Sequence, residues 1–108
     1  MESIILELYD VIKYRKENRD EKSYTSYLFN KGIDKILKKL GEECTEVIIS
    51  AKNNNKEERV SEIGDLIYHL LVAMVEMGIS LEDIEEELKK RRGKINNLKG
   101  ERRAIEKL

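Results

Sequence analysis

No proline interrupts the 108 residues of this chain, and glycine occurs only six times. Proline breaks helices and marks turns, so its absence favours long helices over a turn-rich β fold. Hydrophobic residues make up 40% of the chain and charged residues another 40%, which allows a core but a thin one. The sequence therefore predicts one all-α domain, whose helix faces would gain from burial in a second copy of the chain.

Five stretches show the three- and four-residue spacing of apolar side chains that is typical of amphipathic helices. Polar runs and glycines separate them, with Ser23 as a candidate N-cap and Ser80 with Asp83 as a candidate capping box. The predicted helices are Glu2–Glu17, Tyr24–Asn30, Ile33–Lys52, Lys56–Met77 and Leu81 to about Arg92.

The third and fourth predicted helices carry the strongest apolar stripes, and we expect both stripes to be buried, with the fourth helix at the centre of the packing. The stripe of the third helix consists of Ile33, Ile36, Leu37, Leu40, Cys44, Val47, Ile48 and Ala51. That of the fourth consists of Val60, Ile63, Ile67, Leu70, Met74 and Met77. Beyond Gly93 the sequence is polar, so we expect a domain of residues 1–93 and a C-terminal tail of residues 94–108, which is either frayed or ordered only against a partner.

The charges nearly balance, with 21 Lys and Arg against 22 Asp and Glu. No global basic field would attract nucleic acid, so an anionic ligand would need a local cluster of cations. The single cysteine, Cys44, excludes an internal disulfide and is expected to be a small core residue. Nothing resembles a signal peptide or a membrane span, so we expect a cytoplasmic protein with no membrane partner.

The positions of the acids are the most informative feature for function. The third helix carries Glu42, Glu43 and Glu46, and the fourth carries Glu62 and Asp65. Acids three residues apart project to one side of a helix and repel one another unless a cation lies between them. A short polar turn joins the two helices, which predicts an antiparallel pair whose carboxylates converge on one site. Such an oxygen-rich site suits Mg²⁺ and the chemistry of phosphates.

The acids have an alternative interpretation, and the neighbouring His69 has several possible roles. Acidic pairs in so charged a chain are often solvated helix surface, although two pairs on adjacent helices, each interrupting an apolar run, argue against that reading. His69 shares a side of the fourth helix with Glu62 and Asp65, and we expect it to be hydrogen-bonded in the core or to support the site rather than to bind metal.

Several residues near the acids are candidates for contact with a phosphorylated substrate. A polyphosphate needs cations beyond its metal, and Lys39 is the preferred candidate, with Lys52 beyond Glu46 as another. We expect Lys38 and Arg59 to be solvated surface with intrahelical ion pairs. Tyr24 is a further candidate for substrate contact, although packing is the alternative.

The sequence resembles the phosphoribosyl-ATP pyrophosphatases of histidine biosynthesis, a family of the all-α, MazG-like nucleotide pyrophosphohydrolases. The similar segments are Ser23-Tyr24-Thr25, KKLGEECTEVIISAK from Lys38 to Lys52, EIGDLIYHLLVAM from Glu62 to Met74, and SLEDIEEELKKRRG from Ser80 to Gly93. The resemblance implies an antiparallel helical bundle completed by homodimerisation, as a dimer or a dimer of dimers with the site near the subunit interface.

The resemblance also implies residue roles. Glu43, Glu46, Glu62 and Asp65 would be the metal ligands, and Glu42 would be a further ligand or would orient or deprotonate water. Whichever of Glu42 and Glu46 is not fully engaged by metal could take the proton of the water. Lys39 and Ser23 would contact substrate. The implied reaction is Mg²⁺-dependent hydrolysis of 1-(5-phosphoribosyl)-ATP to 1-(5-phosphoribosyl)-AMP and pyrophosphate, the second step of histidine synthesis. Alternatives are a MazG-like house-cleaning pyrophosphatase for other nucleoside triphosphates and a non-catalytic helical oligomerisation module.

Overall fold

The structure is a computed structural model that describes the backbone of residues 2–97 and the side chains of residues 4–93. Five helices and no strand occur in this part of the chain: α1 Glu2–Glu17, α2 Tyr24–Lys31, α3 Ile33–Ala51, α4 Lys56–Met77 and α5 Leu81–Asn97. The predicted all-α class is confirmed. The predicted ends of α1 to α4 lie within one residue of the observed ones.

Local hydrogen bonds explain why these helices begin and end where they do. The Ser23 hydroxyl accepts from the backbone N–H of Ser26 at 3.2 Å, which caps the start of α2 as predicted. Asn55 caps α4 in the same way. Gly32 joins α2 to α3 with φ of 92° and ψ of −177°, a backbone conformation that is nearly restricted to glycine. Gly78 ends α4 in the left-handed region.

The chain divides into two compact units, Met1–Gly78 with α1 to α4 and Ile79–Leu108 with α5. The predicted capping box at the start of α5 is confirmed by reciprocal bonds of 2.9 and 3.1 Å between Ser80 and Asp83. The predicted end of α5 near Arg92 is wrong, because the helix continues through Gly93 to Asn97. Glycine weakens a helix by only about 1 kcal/mol, so it need not stop one. The boundary after residue 93 stays a prediction, and the tail beyond Asn97 lies outside the described residues.

The core of the first unit forms around the second half of α4, as predicted. Five consecutive α4 residues, Leu71–Val75, are buried, which a helix allows only where neighbours cover most of its circumference. The remaining buried apolar side chains come from α1, α2 and α3, and they are Ile12, Leu28, Phe29 and Ile36. Among the described side chains, three polar ones are also buried, Ser26, Ser50 and His69, and each has a hydrogen-bond partner.

The prediction that the apolar stripes of α3 and α4 are buried is largely wrong for the single chain. Side chains on both stripes are 43–63% exposed, namely Leu37 and Ile48 on α3 and Val60, Ile63, Leu70 and Met77 on α4. Cys44, expected in the core, is also exposed. The reason is the small number of helices: within residues 2–78, α1 and α2 leave these six side chains uncovered, although Ile36 and Met74 on the same stripes are buried.

Helices α3 and α4 make the most extensive contact in the first unit, across a turn of residues 52–55. The Arg59 side chain fixes this turn. Its guanidinium donates to the carbonyl oxygens of Ser50 at 3.2 Å and Ala51 at 3.1 Å, and also to that of Asn53. These carbonyls lie at the end of α3, where helical partners run out. Arg59 was expected to form surface ion pairs, and it instead closes the α3–α4 hairpin.

Among the described residues, no single helix is both long and apolar enough to cross a membrane. Only α4 and Leu81–Gly93 taken together pass such a test, and they do so by length and composition alone.

Candidate metal and substrate site

Three carboxylates converge where α3 and α4 face each other. Glu43 of α3 and Glu62 and Asp65 of α4 each offer an oxygen, and these oxygens all lie within 4.8 Å of one another. Glu43 and Glu62 are half-buried, whereas Asp65 is exposed. The hairpin produces this convergence, because an antiparallel pair places residues before and after the turn side by side. We call these three residues the acid cluster.

The electrostatics of the acid cluster favour a cation. Partial loss of water raises the pKa of Glu62, and the nearby carboxylates of Asp65 and Glu43 raise it further. Carboxylates held this close repel one another until a proton or a positive ion lies between them. Oxygen ligands of this kind suit a hard divalent ion, so the donor set fits the metal that the sequence predicts.

The fourth predicted ligand, Glu46, lies beside the acid cluster. It is exposed and outside the set of oxygens within 4.8 Å, but its charge contributes to the raised pKa of Glu62. Glu46 therefore stands one turn along α3 from Glu43, close enough to act on whatever the cluster holds. Its predicted role as ligand or base stays a prediction.

Glu42 is held by a cation instead. The Lys39 ammonium lies 3.2 Å from a Glu42 carboxylate oxygen. This hydrogen bond, and the Tyr24 phenol nearby, raise the pKa of Lys39 above its usual range. Lys39 is therefore a firmly charged ammonium next to the acid cluster, which is what a contact to phosphate needs. The predicted roles of both residues are compatible with these positions.

The remaining predicted substrate residues differ in their positions. Tyr24 is close enough to Lys39 and Glu43 for their charges to act on its pKa, which partial burial raises. The Ser23 hydroxyl is engaged as the N-cap of α2. Lys52 follows the last turn of α3, about 13 Å along the helix axis from Glu43 at 1.5 Å per residue. The structure therefore brings Lys39 and Tyr24 to the cluster and leaves Lys52 at the far end of the helix.

Beside the acid cluster lies a group of aromatic and hydroxyl side chains that the sequence did not reveal as a unit. The Tyr24 hydroxyl lies 3.0 Å from His69 Nε2, and His69 Nδ1 lies 2.8 Å from the backbone oxygen of Asp65. The Thr25 hydroxyl is hydrogen-bonded to the Tyr68 hydroxyl. The Tyr24–His69 and Thr25–Tyr68 bonds join the first turn of α2 to α4. The prediction that His69 is a hydrogen-bonded core residue is confirmed.

One signal in the sequence pointed to part of this group. His69 follows Asp65 by one helical turn, so its ring can reach the Asp65 carbonyl from any helical backbone. The Tyr24 contact carries no comparable signal, because it joins residues 45 positions apart and depends on how α2 packs.

Comparison with known proteins matches the sequence of this chain to a family. The family model described as phosphoribosyl-ATP pyrophosphohydrolase matches residues 5–92. A protein of Clostridium novyi (strain NT) named phosphoribosyl-ATP pyrophosphatase is 61% identical over 105 residues, 97% of this chain and 96% of the relative. A protein of the same name from Clostridium acetobutylicum is 60% identical with the same coverage. Another from Bacillus mycoides (strain KBAB4) is 54% identical over the full length of both chains.

Proposed function

The chain belongs to the phosphoribosyl-ATP pyrophosphohydrolase family, and on that premise we propose that it hydrolyses 1-(5-phosphoribosyl)-ATP to 1-(5-phosphoribosyl)-AMP and pyrophosphate, the second step of histidine biosynthesis. The observation that carries the proposal is the convergence of Glu43, Glu62 and Asp65 within 4.8 Å. A nucleotide substrate and a biosynthetic role support a cytoplasmic enzyme that needs neither nucleic acid nor a membrane as partner.

The acid cluster would hold Mg²⁺, with Glu46 as a further ligand or as the base. Carboxylate oxygens suit this ion. Partial loss of water and then repulsion from neighbouring carboxylates raise the pKa of Glu62, and a divalent charge would relieve that repulsion. When bound, the ion supplies neutralisation of phosphate charge and a more acidic water. The same residues serve any nucleoside triphosphate, so the choice of substrate rests on the family.

Glu46 is the better candidate for the base. Among the described residues it makes no ion pair, whereas the Glu42 carboxylate is held by Lys39. Glu46 would accept the proton of the attacking water as the water oxygen bonds to phosphorus and the bond to the leaving pyrophosphate breaks. The Lys39 ammonium would shift from Glu42 toward the phosphates, which are stronger partners for it.

We further propose that a second copy of the chain covers the exposed stripes of α3 and α4. Six large apolar side chains on these stripes are 43–63% exposed, and neighbouring helices of one chain commonly bury such faces in a self-complementary dimer. Because the acid cluster lies on the same two helices, the site would stand near the interface. A dimer or a dimer of dimers satisfies this proposal.

The direct test is to incubate the purified chain with phosphoribosyl-ATP and Mg²⁺ and to measure pyrophosphate. We expect turnover that EDTA abolishes and Mg²⁺ restores. A panel of standard and deoxynucleoside triphosphates is the control, with much lower kcat/KM expected for each. Turnover of the panel without turnover of phosphoribosyl-ATP would overturn the substrate, and turnover that EDTA does not affect would overturn the metal role.

A further inference from the structure

We infer that His69 is a positioning residue that holds the proton of the Tyr24 hydroxyl, so that the Tyr24 oxygen acts as a hydrogen-bond acceptor for a sugar hydroxyl of the substrate. The inference rests on the proposed function, because it assigns a role within the same site. It is carried by the two hydrogen bonds of His69, which link the exposed Tyr24 to the backbone of Asp65 in the acid cluster.

The direction of both hydrogen bonds follows from one of the partners. The backbone oxygen of Asp65 can only accept, so His69 Nδ1, at 2.8 Å, carries a proton and donates it. A ring that carries a single proton, on Nδ1, has a lone pair at Nε2. In that form the Tyr24 hydroxyl, at 3.0 Å from Nε2, is the donor in the bond.

This assignment determines what Tyr24 can offer a ligand. Its one hydroxyl proton is used by His69, so its oxygen presents only lone pairs to the cleft. Tyr24 is 44% exposed, and its hydroxyl is linked through the His69 ring to the backbone of Asp65, a member of the acid cluster, which places the phenol near the cluster. An acceptor there is unsuited to phosphate oxygens, which also accept. It suits a hydroxyl donor, and the riboses of the substrate carry such groups.

The neighbouring side chains hold the His69 ring, and with it the two hydrogen bonds, in place. The His69 side chain is buried, and its ring packs edge-on against the rings of Tyr24 at 5.8 Å and Tyr68 at 4.9 Å. The bond between Thr25 and Tyr68 ties the next residue of α2 to the same part of α4. The imidazole therefore has little freedom to turn over and exchange the roles of its two nitrogens.

Because His69 is the only histidine of the chain, its tautomer can be measured without ambiguity. We would label the imidazole nitrogens with ¹⁵N in tag-free protein and record their NMR shifts at neutral pH. We expect a protonated Nδ1 and an unprotonated Nε2, the minor form of free histidine in water. Tyr24→Phe should shift the Nε2 resonance and leave Nδ1 protonated. A protonated Nε2 in the wild-type protein would overturn the inference, whatever the enzyme's activity.

Kinetics test whether His69 acts through Tyr24. We expect Tyr24→Phe to raise KM for phosphoribosyl-ATP about five-fold, the effect of one neutral hydrogen bond, with little change in kcat. His69→Asn can still donate to the Asp65 carbonyl but cannot reach Tyr24, and it should raise KM by a similar factor. The double variant should show no more than either single one. Multiplying effects would contradict a role of His69 through Tyr24.

Two further variants separate positioning from general damage to the fold. His69→Gln keeps an acceptor near the Nε2 position, so KM should return to within about two-fold of wild type. Tyr27→Phe is the matched control, because Tyr27 stacks on Tyr24 at 5.9 Å and its hydroxyl has no partner among the described residues, and its KM should not change. With deoxy analogues of the substrate, the Tyr24→Phe penalty should vanish for the analogue that lacks the contacted hydroxyl. A penalty that persists with every analogue would overturn the acceptor role.

Discussion

Glu43, Glu62 and Asp65 lie close enough to share a cation, and Asp65 is the exposed member of the three. Its carboxylate is therefore available to an ion with little rearrangement of the protein. Asp65→Asn keeps the shape of the side chain and removes its charge. We expect kcat/KM for phosphoribosyl-ATP to fall about 100-fold or more, in line with the loss of one preorganised electrostatic group. The measurement is pyrophosphate release at saturating Mg²⁺, with helicity checked by circular dichroism.

The matched control is Glu57→Gln, a neutralised and exposed acid on the first turn of the same helix. It should leave kcat/KM unchanged. Wild-type turnover in Asp65→Asn, or an equal loss in both variants, would contradict the assignment of Asp65.

The raised pKa of Glu62 gives a pH dependence whose sign is fixed. In the metal-free protein the folded state binds the Glu62 proton more tightly than the unfolded chain, whose pKa is near 4.5. The contribution of Glu62 to the free energy of unfolding is therefore greatest below that value, and it is lost as pH rises through the higher folded pKa. Urea unfolding in EDTA between about pH 4 and pH 7 should show this loss.

Two comparisons isolate the contribution of Glu62. Glu62→Gln should lack the loss, because it has no proton to release. Mg²⁺ should counteract the loss in the wild-type protein, because an ion that binds only the folded state stabilises it. A wild-type protein and a Glu62→Gln variant with the same pH dependence would contradict the electrostatic account.

At the scale of the helices, the junction between α2 and α3 depends on the backbone conformation of Gly32. Gly32 has φ of 92° and ψ of −177°, and a side chain added there would meet no atom within 4 Å. A substitution would therefore be strained by the backbone alone. Gly32→Ala should lower the free energy of unfolding by about 1–3 kcal/mol. Gly78→Ala, in the more accessible left-handed region, is the comparison and should cost about 1 kcal/mol. Equal costs in chemical denaturation would contradict this ranking.

The helix boundaries could be predicted because local chemistry determines them. Ser23, Asn55 and Gly78 each act on backbone groups within four residues, so both partners of each contact can be identified from a short stretch of sequence. The meeting of acids from α3 and α4 could also be predicted, because a short turn favours an antiparallel pair of helices. Which acids of α3 take part came from the family resemblance, and Glu46 lies outside the cluster. The end of α5 could not, since glycine only weakens a helix and nothing in the sequence decides whether Gly93 stops it.

Contacts that depend on how segments of the chain pack together could not be predicted from the sequence. The bond between Tyr24 and His69 depends on the packing of α2, and the role of Arg59 depends on the path of the turn before it. The apolar stripes show a third limit. Periodicity identifies the apolar side of a helix, but it does not say whether the same chain or another one covers that side.

For the whole molecule, the exposed stripes give a test of assembly. Ile48 lies on the α3 stripe and is 63% exposed, so a charge there should cost a single chain little. Burying that charge in a dimer without a partner would cost several kcal/mol. Ile48→Glu should therefore reduce the mass measured by light scattering to that of one chain while helicity is retained.

Ile49→Glu is the matched control. Ile49 is similarly exposed but lies about 100° around α3, outside the stripe. It should keep the wild-type mass. A wild-type protein that is already a single chain, or an unchanged mass in Ile48→Glu, would contradict the proposed interface.

The hydrogen bonds from Arg59 to the end of α3 bear on whether the metal ion binds before or after two chains associate. All three members of the acid cluster belong to one self-closed hairpin of adjacent helices, so their meeting requires only a short loop to close. The ion should therefore find its ligands before two chains encounter each other. Titrations of Mg²⁺ at dilutions on either side of subunit dissociation should return the same affinity, even where turnover differs.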